Sequence, residues 1–240
     1  MKNSCFLVLL FVSVTLLGQT KGKVTYLVSI DKTVIEVPYE NPDNTDEKNE
    51  ALSLLEEAQP VEAYLVFNDS IALYYVQDKD DIPKWENSDG IISINPSNIN
   101  FTWYMAGSAN LYYADWTRDY NISTFDNMGS KKRVIRKIPD WTITQETKII
   151  KGYSCHKAIF REDEKRFAWF TKSLPVSHGP KGFNGLPGLV LELHNNKHSF
   201  IATSIDLNDI EAEEIEEPKE GQLIKYEELM KYSKAIFGDN

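Results

Sequence analysis

Cysteine is almost missing from this chain. Of two in 240 residues, Cys5 lies ahead of an N-terminal apolar run and Cys155 stands alone in the body. No intramolecular disulfide framework is therefore available. The usual signatures of catalysis are missing too. There is no Gly-x-Ser-x-Gly elbow, no His-Glu-x-x-His, no phosphate-binding P-loop and no Gly-x-Gly-x-x-Gly fingerprint. Past the N-terminus no apolar run is long enough for a transmembrane helix. Positive charge is in the minority: 26 Lys+Arg stand against 36 Asp+Glu, for a formal net charge of −10. That balance excludes nonspecific nucleic-acid binding, which needs a basic surface. Aromatic residues, by contrast, are plentiful, with 5 Trp, 12 Tyr and 11 Phe. The composition is that of a folded globular chain, long enough to bury a core without a metal or disulfide.

The first 18 residues read as a signal peptide. Lys2 supplies the positive start, Phe6 to Leu17 is uncharged, and Gly18 marks a small-residue cleavage point. Residues 19–240 are expected to form one domain. No cysteine follows the apolar run, so lipid anchoring is not expected. The location implied is the periplasm or cell envelope.

The body alternates apolar and polar residues over short stretches, the period of half-buried strands. Val24, Tyr26, Val28 and Ile30 give a first strand, and Thr33 to Tyr39 a second. Residues 45–59 are expected to hold a short helix, with Asn44 and Glu47 spaced as a capping box. Val61 to Phe67 and Ile71 to Val76 form a hairpin across Asn68-Asp69. Ile91–Ile94, Ile99–Tyr104, Leu111–Trp116 and Tyr120–Phe125 read as further strands. Lys131 to Ile138 carries Lys131, Lys132, Arg133, Arg136 and Lys137, either a partner-facing strand or a solvated sheet face. Two more hairpins follow, across Glu162-Asp163-Glu164 and across Asn195-Asn196. Residues 206–220 form an acidic connector, and 222–237 show helical spacing. The expected fold is mainly β: a single curved antiparallel sheet or open half-barrel, with the two helices beside it.

Gly179-Pro180 and Gly185-Leu186-Pro187-Gly188 punctuate a loop. Pro187-Gly188 suits the centre of a type II turn. Leu186, Leu189 and Phe183 are positioned to pack beneath it. The loop is either a fixed rim for a ligand groove or a structural corner between hairpins.

Trp141 to Ala158, Ala168-Trp169-Phe170-Thr171 and Gly179 to Val190 together resemble the GLPGLI family of the Bacteroidota, also called Porph_ging. The name-giving hexapeptide ends here in Val190 instead of Ile. The resemblance implies an exported envelope protein, often encoded near TonB-dependent outer-membrane systems. It carries no catalytic residue set onto this chain.

Candidate chemistry is sparse. His194 and His198 flank a turn and could hold a metal between them, but no third ligand is marked. His178 reads as a surface residue before the loop. Cys155 reads as a small buried side chain, with activation by His156 opposed by strand alternation. Trp141 and Trp169 fill the core or line a groove. No catalytic residue, metal or cofactor is expected. The ligand- or partner-binding candidates are His178, Phe183, Leu186, Pro187, Trp169 and Trp141. The reading they support is a non-enzymatic binding protein for an apolar or peptide-like ligand. The alternatives are an accessory factor docking onto a TonB-dependent outer-membrane transporter, or a thiol- or serine-dependent hydrolase.

Overall fold

Val24, Tyr26 and Val28 are fully buried while Thr25, Leu27 and Ser29 between them are not. That alternation, repeated in strand after strand, sorts one face of a sheet toward a core. The computed structural model describes residues 20–32, 53, 55–77, 84–86, 92–94, 100–127, 130–207 and 215–237. Its strands are β1 (Gly22–Ile30), β2 (Val61–Phe67), β3 (Ile71–Val76), β4 (Lys84–Glu86), β5 (Ile92–Ile94), β6 (Tyr112–Asp115) and β7 (Tyr120–Asn127). They continue as β8 (Ser130–Arg136), β9 (Trp141–Ile150), β10 (Tyr153–Phe160), β11 (Arg166–Thr171), β12 (Leu189–Asn195), β13 (His198–Asp206) and β14 (Gln222–Lys225). Helices α1 (Phe101–Ala106) and α2 (Tyr226–Phe237) accompany them.

Twelve strands make one open sheet in the order β14-β8-β7-β6-β3-β2-β1-β13-β12-β11-β10-β9, and β4 pairs only with β5. Every pairing in the large sheet is antiparallel except β14 beside β8, which is parallel. Register shifts at Thr25/Tyr26, His156/Ala158 and Trp169/Phe170 mark bulges. Bulges bend and twist their strands, so three of them curve the sheet without closing it. The core lies on one face, where Tyr26, Phe67, Tyr74, Phe170 and Phe200 are the largest fully buried side chains. The two buried tyrosines find acceptors: Tyr26 donates to the Val190 carbonyl at 2.6 Å, and Tyr74 to that of Ala106 at 2.8 Å. Both bonds tie distant segments to the sheet centre.

Mainly β architecture with one curved sheet is what the alternation implied. Three local expectations need correction, and three lie wholly or mostly outside the described residues. Residues 101–106 are helical, not strand: the Asn100 side chain caps them by accepting from Thr102 N–H, and Gly107, at φ +136°, closes them. Aromatic, strand-prone Phe101–Met105 yields to the two caps at its ends. The C-terminal helix begins at Tyr226, because Gln222–Lys225 serve as edge strand β14. The β12–β13 turn centres on Asn196-Lys197, where Asn196 takes the left-handed conformation at φ +57°. The strand expected over 33–39 and the capping box at 44–47 lie outside the described residues. So does most of the 45–59 helix, of which Ser53, Leu55 and Glu56 are described as helical.

The basic strand also resolves. β8 is not simply solvated, because the described end of the acidic connector, residues 215–220, folds back on it. Arg133 donates to the carbonyls of Gly221 and Pro218, and Lys131 pairs with Glu220. Glu217 accepts from Arg118 at 2.8 Å and lies 3.8 Å from Arg133.

Candidate functional site

The 179–188 loop is built from close backbone approaches. Gly188 lies against β11 so tightly that a Cβ there would sit 2.1 Å from the Thr171 carbonyl oxygen. A Cβ on Gly179 would meet the Phe183 oxygen at 2.0 Å. The expected type II turn is not what forms. Gly188 has no positive φ, and its N–H bonds the Leu186 carbonyl at 2.8 Å, a γ-turn centred on Pro187. The motif's positive φ belongs to Gly185, at +90°. Ser177 Oγ donates to the Leu186 carbonyl at 2.7 Å, and the Trp141 indole N–H donates to that of Asn184 at 2.8 Å. The side-chain amides of buried Asn121 and Asn184 bond each other reciprocally.

This construction separates the six sequence candidates. Leu186 is in the core. His178 is there too, contrary to its reading as a surface residue: Nε2 bonds the Asn68 carbonyl at 2.9 Å, Nδ1 has no partner among the described residues, and burial pushes its pKa down to about 4. Trp169 is buried beneath Lys148, whose Nζ stands 4.4 Å from the ring centre. Trp141 is half-buried, edge-on to Phe160 and tilted against Phe183. Pro187 is exposed. Phe183 alone of the six lines a described cavity.

That cavity is one of an adjoining pair on the same side of the loop. The smaller, about 350 Å³, lies between Phe183, Ile122 and Pro139, and four cations line it: Arg136, Lys137, Arg166 and Lys181. The larger, about 650 Å³, opens between α1, β7, β8 and α2. Its apolar walls include Tyr104, Met105, Phe125, Ile224, Leu229 and Met230. Tyr112, Arg136 and Lys181 line both cavities and so mark their junction. The mouth of the larger is unusually apolar. Tyr104 is 61% exposed, Met230 41% and Tyr226 37%.

The 3-10 turn Pro180–Gly182 positions the lysine. Lys181 takes φ +54°, a left-handed backbone that costs a residue with a Cβ about 1–2 kcal/mol. Its Nζ donates to the Met105 carbonyl at 2.5 Å. Burial, and then the charge of Arg136, push its pKa down to about 8. Arg136 reaches the junction from β8, donating Nε to Ser123 Oγ at 2.9 Å and stacking on Tyr226 at 4.9 Å. Burial pushes the Tyr112 phenol up to about 12 against the opposing pull of Arg136. Lys181, Arg136, Tyr112, Tyr104 and Met230 were not singled out as site residues from the sequence. The one local signal was a lysine held between Pro180 and Gly182.

The described cysteine and the hairpin histidines line neither of these cavities. Cys155 is fully buried, and desolvation raises its thiol to about 11, so it is no nucleophile near neutral pH. His194 pairs across the hairpin with Ser199 and His198 with Asn195, which places the two histidines on opposite faces. His194 bonds Glu192 at 2.7 Å and stacks on Phe167. No cluster of three metal-ligating side chains exists among the described residues.

A family model described as "Protein of unknown function (Porph_ging)" matches residues 160–192, the stretch holding β11, the loop and most of β12. No curated protein matches the chain. Two solved structures of PNGF-II, from different crystal forms, resemble it with TM-scores of 0.52 and 0.53 at 15% identity. The likeness covers 91% of this chain and 33% of those chains, so this protein spans about a third of their length. At that identity the resemblance is one of fold.

Proposed function

We propose that this is an exported, non-enzymatic binding protein of the cell envelope. Its ligand, apolar or peptide-like in body, lies in the cleft between α1, β7, β8 and α2. One observation carries the reading: Tyr104, Tyr226 and Met230 leave their apolar surface in water around the mouth of a roughly 650 Å³ cavity. A cavity of that size is within the range that encloses small ligands. Covering the exposed rim gives an apolar ligand its driving force, at roughly 25 cal/mol per Å² removed from water. The location in this reading is supported by the signal-peptide pattern of residues 1–18 and by the resemblance to exported envelope proteins.

A docking factor for an outer-membrane transporter is the second reading, with the acidic connector as its surface. Among the connector's described residues, Glu217 and Glu220 are engaged by Arg118, Arg133 and Lys131 of their own chain, which reduces the acidic surface they offer a partner.

The test is titration with an environment-sensitive apolar fluorophore. Tyr104→Ser and Met230→Ser, both at exposed positions, are expected to weaken binding at least ~5-fold, as loss of about 1 kcal/mol or more of apolar contact requires. Leu27→Ser and Ile201→Ser, on the opposite sheet face, should leave it unchanged. Equal effects from both pairs, or none from either, would remove the cleft as the site.

A further inference from the structure

The smaller chamber asks what its cations are for. The chain carries a net charge of −10, yet Arg136, Lys137, Arg166 and Lys181 line this chamber with no carboxylate among its lining residues. Arg166 is answered by Asp163 at 2.9 Å. Lys181 and Arg136 form no ion pair among the described residues. Each makes one hydrogen bond to a neutral oxygen, Met105 O and Ser123 Oγ respectively, which leaves donor capacity unused on both. Two like charges in a partly buried junction oppose each other, and desolvation opposes both. A lysine at φ +54° adds backbone strain where glycine or asparagine would fit without it. Strain, desolvation and repulsion are thus concentrated on one side chain, Lys181, which faces two cavities at once.

We propose that this junction holds an oxyanion, a carboxylate or phosphate, borne by the same apolar molecule whose body fills the larger cleft. The inference rests on the cleft being a ligand site and names the head group that ligand carries. Lys181 and Arg136 are the cationic partners. Tyr112, which keeps its proton at neutral pH, lines both cavities and can contribute a hydroxyl. An anion here relieves the repulsion and replaces lost hydration with charge-assisted hydrogen bonds. With Lys181 and Arg136 at the junction and Tyr104, Tyr226 and Met230 at the mouth of the larger cleft, the ligand lies with its head group at the junction and its apolar body in the larger cleft.

Isothermal titration of the full chain at neutral pH decides the matter, using dodecyl phosphate and dodecanoate below their micelle-forming concentrations, dodecanol below its solubility limit, and inorganic phosphate. The two anionic amphiphiles are expected to bind at least ~10-fold more tightly than dodecanol, the margin of one charge-assisted hydrogen bond. Inorganic phosphate should bind far more weakly than dodecyl phosphate. Lys181→Asn, which tolerates the left-handed backbone, and Arg136→Gln, which can keep the bond to Ser123, should each erase most of the preference for the anions. Dodecanol binding as tightly as the anions overturns the oxyanion while leaving the cleft reading intact. Inorganic phosphate matching dodecyl phosphate overturns the amphiphile. Binding of none of the probes overturns both readings. Should a variant fail to fold, the comparison of probes on the unaltered chain still decides.

Discussion

Asn121 and Asn184 hold each other through a closed pair of amide bonds: Asn184 Nδ2 donates to Asn121 Oδ1 at 2.8 Å, and Asn121 Nδ2 donates back to Asn184 Oδ1 at 3.1 Å. The pair joins β7 to the Gly179–Gly188 loop from residues 63 apart in sequence. Both side chains are buried, so the loss of either strands a polar group without water. Asn184→Ala is therefore expected to destabilise the fold by about 2–3 kcal/mol. Urea unfolding of the variant, with an unchanged slope and a lower midpoint, checks this.

Glycines in the chain are not equivalent, and a paired substitution shows it. At Gly188 a methyl group meets the Thr171 carbonyl oxygen at 2.1 Å and the Thr171 carbonyl carbon at 2.7 Å. Gly188→Ala must push two backbone segments apart, which costs about 3 kcal/mol or more. At Gly152 nothing lies within 4 Å, and only φ +83° disfavours a side chain. Gly152→Ala is expected to cost about 1 kcal/mol. Thermal melting of the two variants should separate them clearly.

Strand placement was legible because alternation survives in β1, β3, the first half of β2 and the first half of β13, each pressed on a core by one face. β14 escaped because Gln222–Lys225 run directly into a helix and are too short to show a period. α1 escaped because Phe101, Trp103 and Tyr104 are strand formers, although Asn100 and Gly107 mark both its ends. The cleft was illegible for a different reason. Tyr104, Tyr112, Arg136, Lys181 and Met230 come from five separate segments, and only the folded sheet brings them together. The Gly-Leu-Pro-Gly loop drew attention in the sequence, yet its strongest residues, Leu186 and His178, hold the core. Its contribution to the cleft is Lys181, at the other end of the loop.

Acid should weaken this protein through two buried imidazoles. Burial lowers the pKa of His178 and of His198 to about 4, against about 6.5 in an unfolded chain. Between those values the unfolded state takes up protons that the folded state refuses, so stability rises with pH. It is complete above about pH 6.5 and falls as pH drops toward 4, by on the order of 3 kcal/mol per histidine. His178→Gln should remove roughly half of that acid dependence, read from denaturation midpoints across the range.

Cys155 should be chemically silent. With its thiol raised to about 11 and no exposed surface, it is expected to react with Ellman's reagent only on unfolding. In a Cys5→Ser chain, which leaves Cys155 as the single thiol, the time course in native buffer should be flat and that in denaturant immediate. Fast native labelling would show that β10 opens where the structure has it closed.

The most direct measurement is a crystal structure of the full chain with terminally brominated dodecanoate. The bromine's anomalous signal is expected in the cleft beside Tyr104, Met105 or Met230, with the carboxylate toward Lys181 and Arg136. An empty cleft, or bromine seated instead on the opposite sheet face near Leu27 and Ile201, would contradict the account.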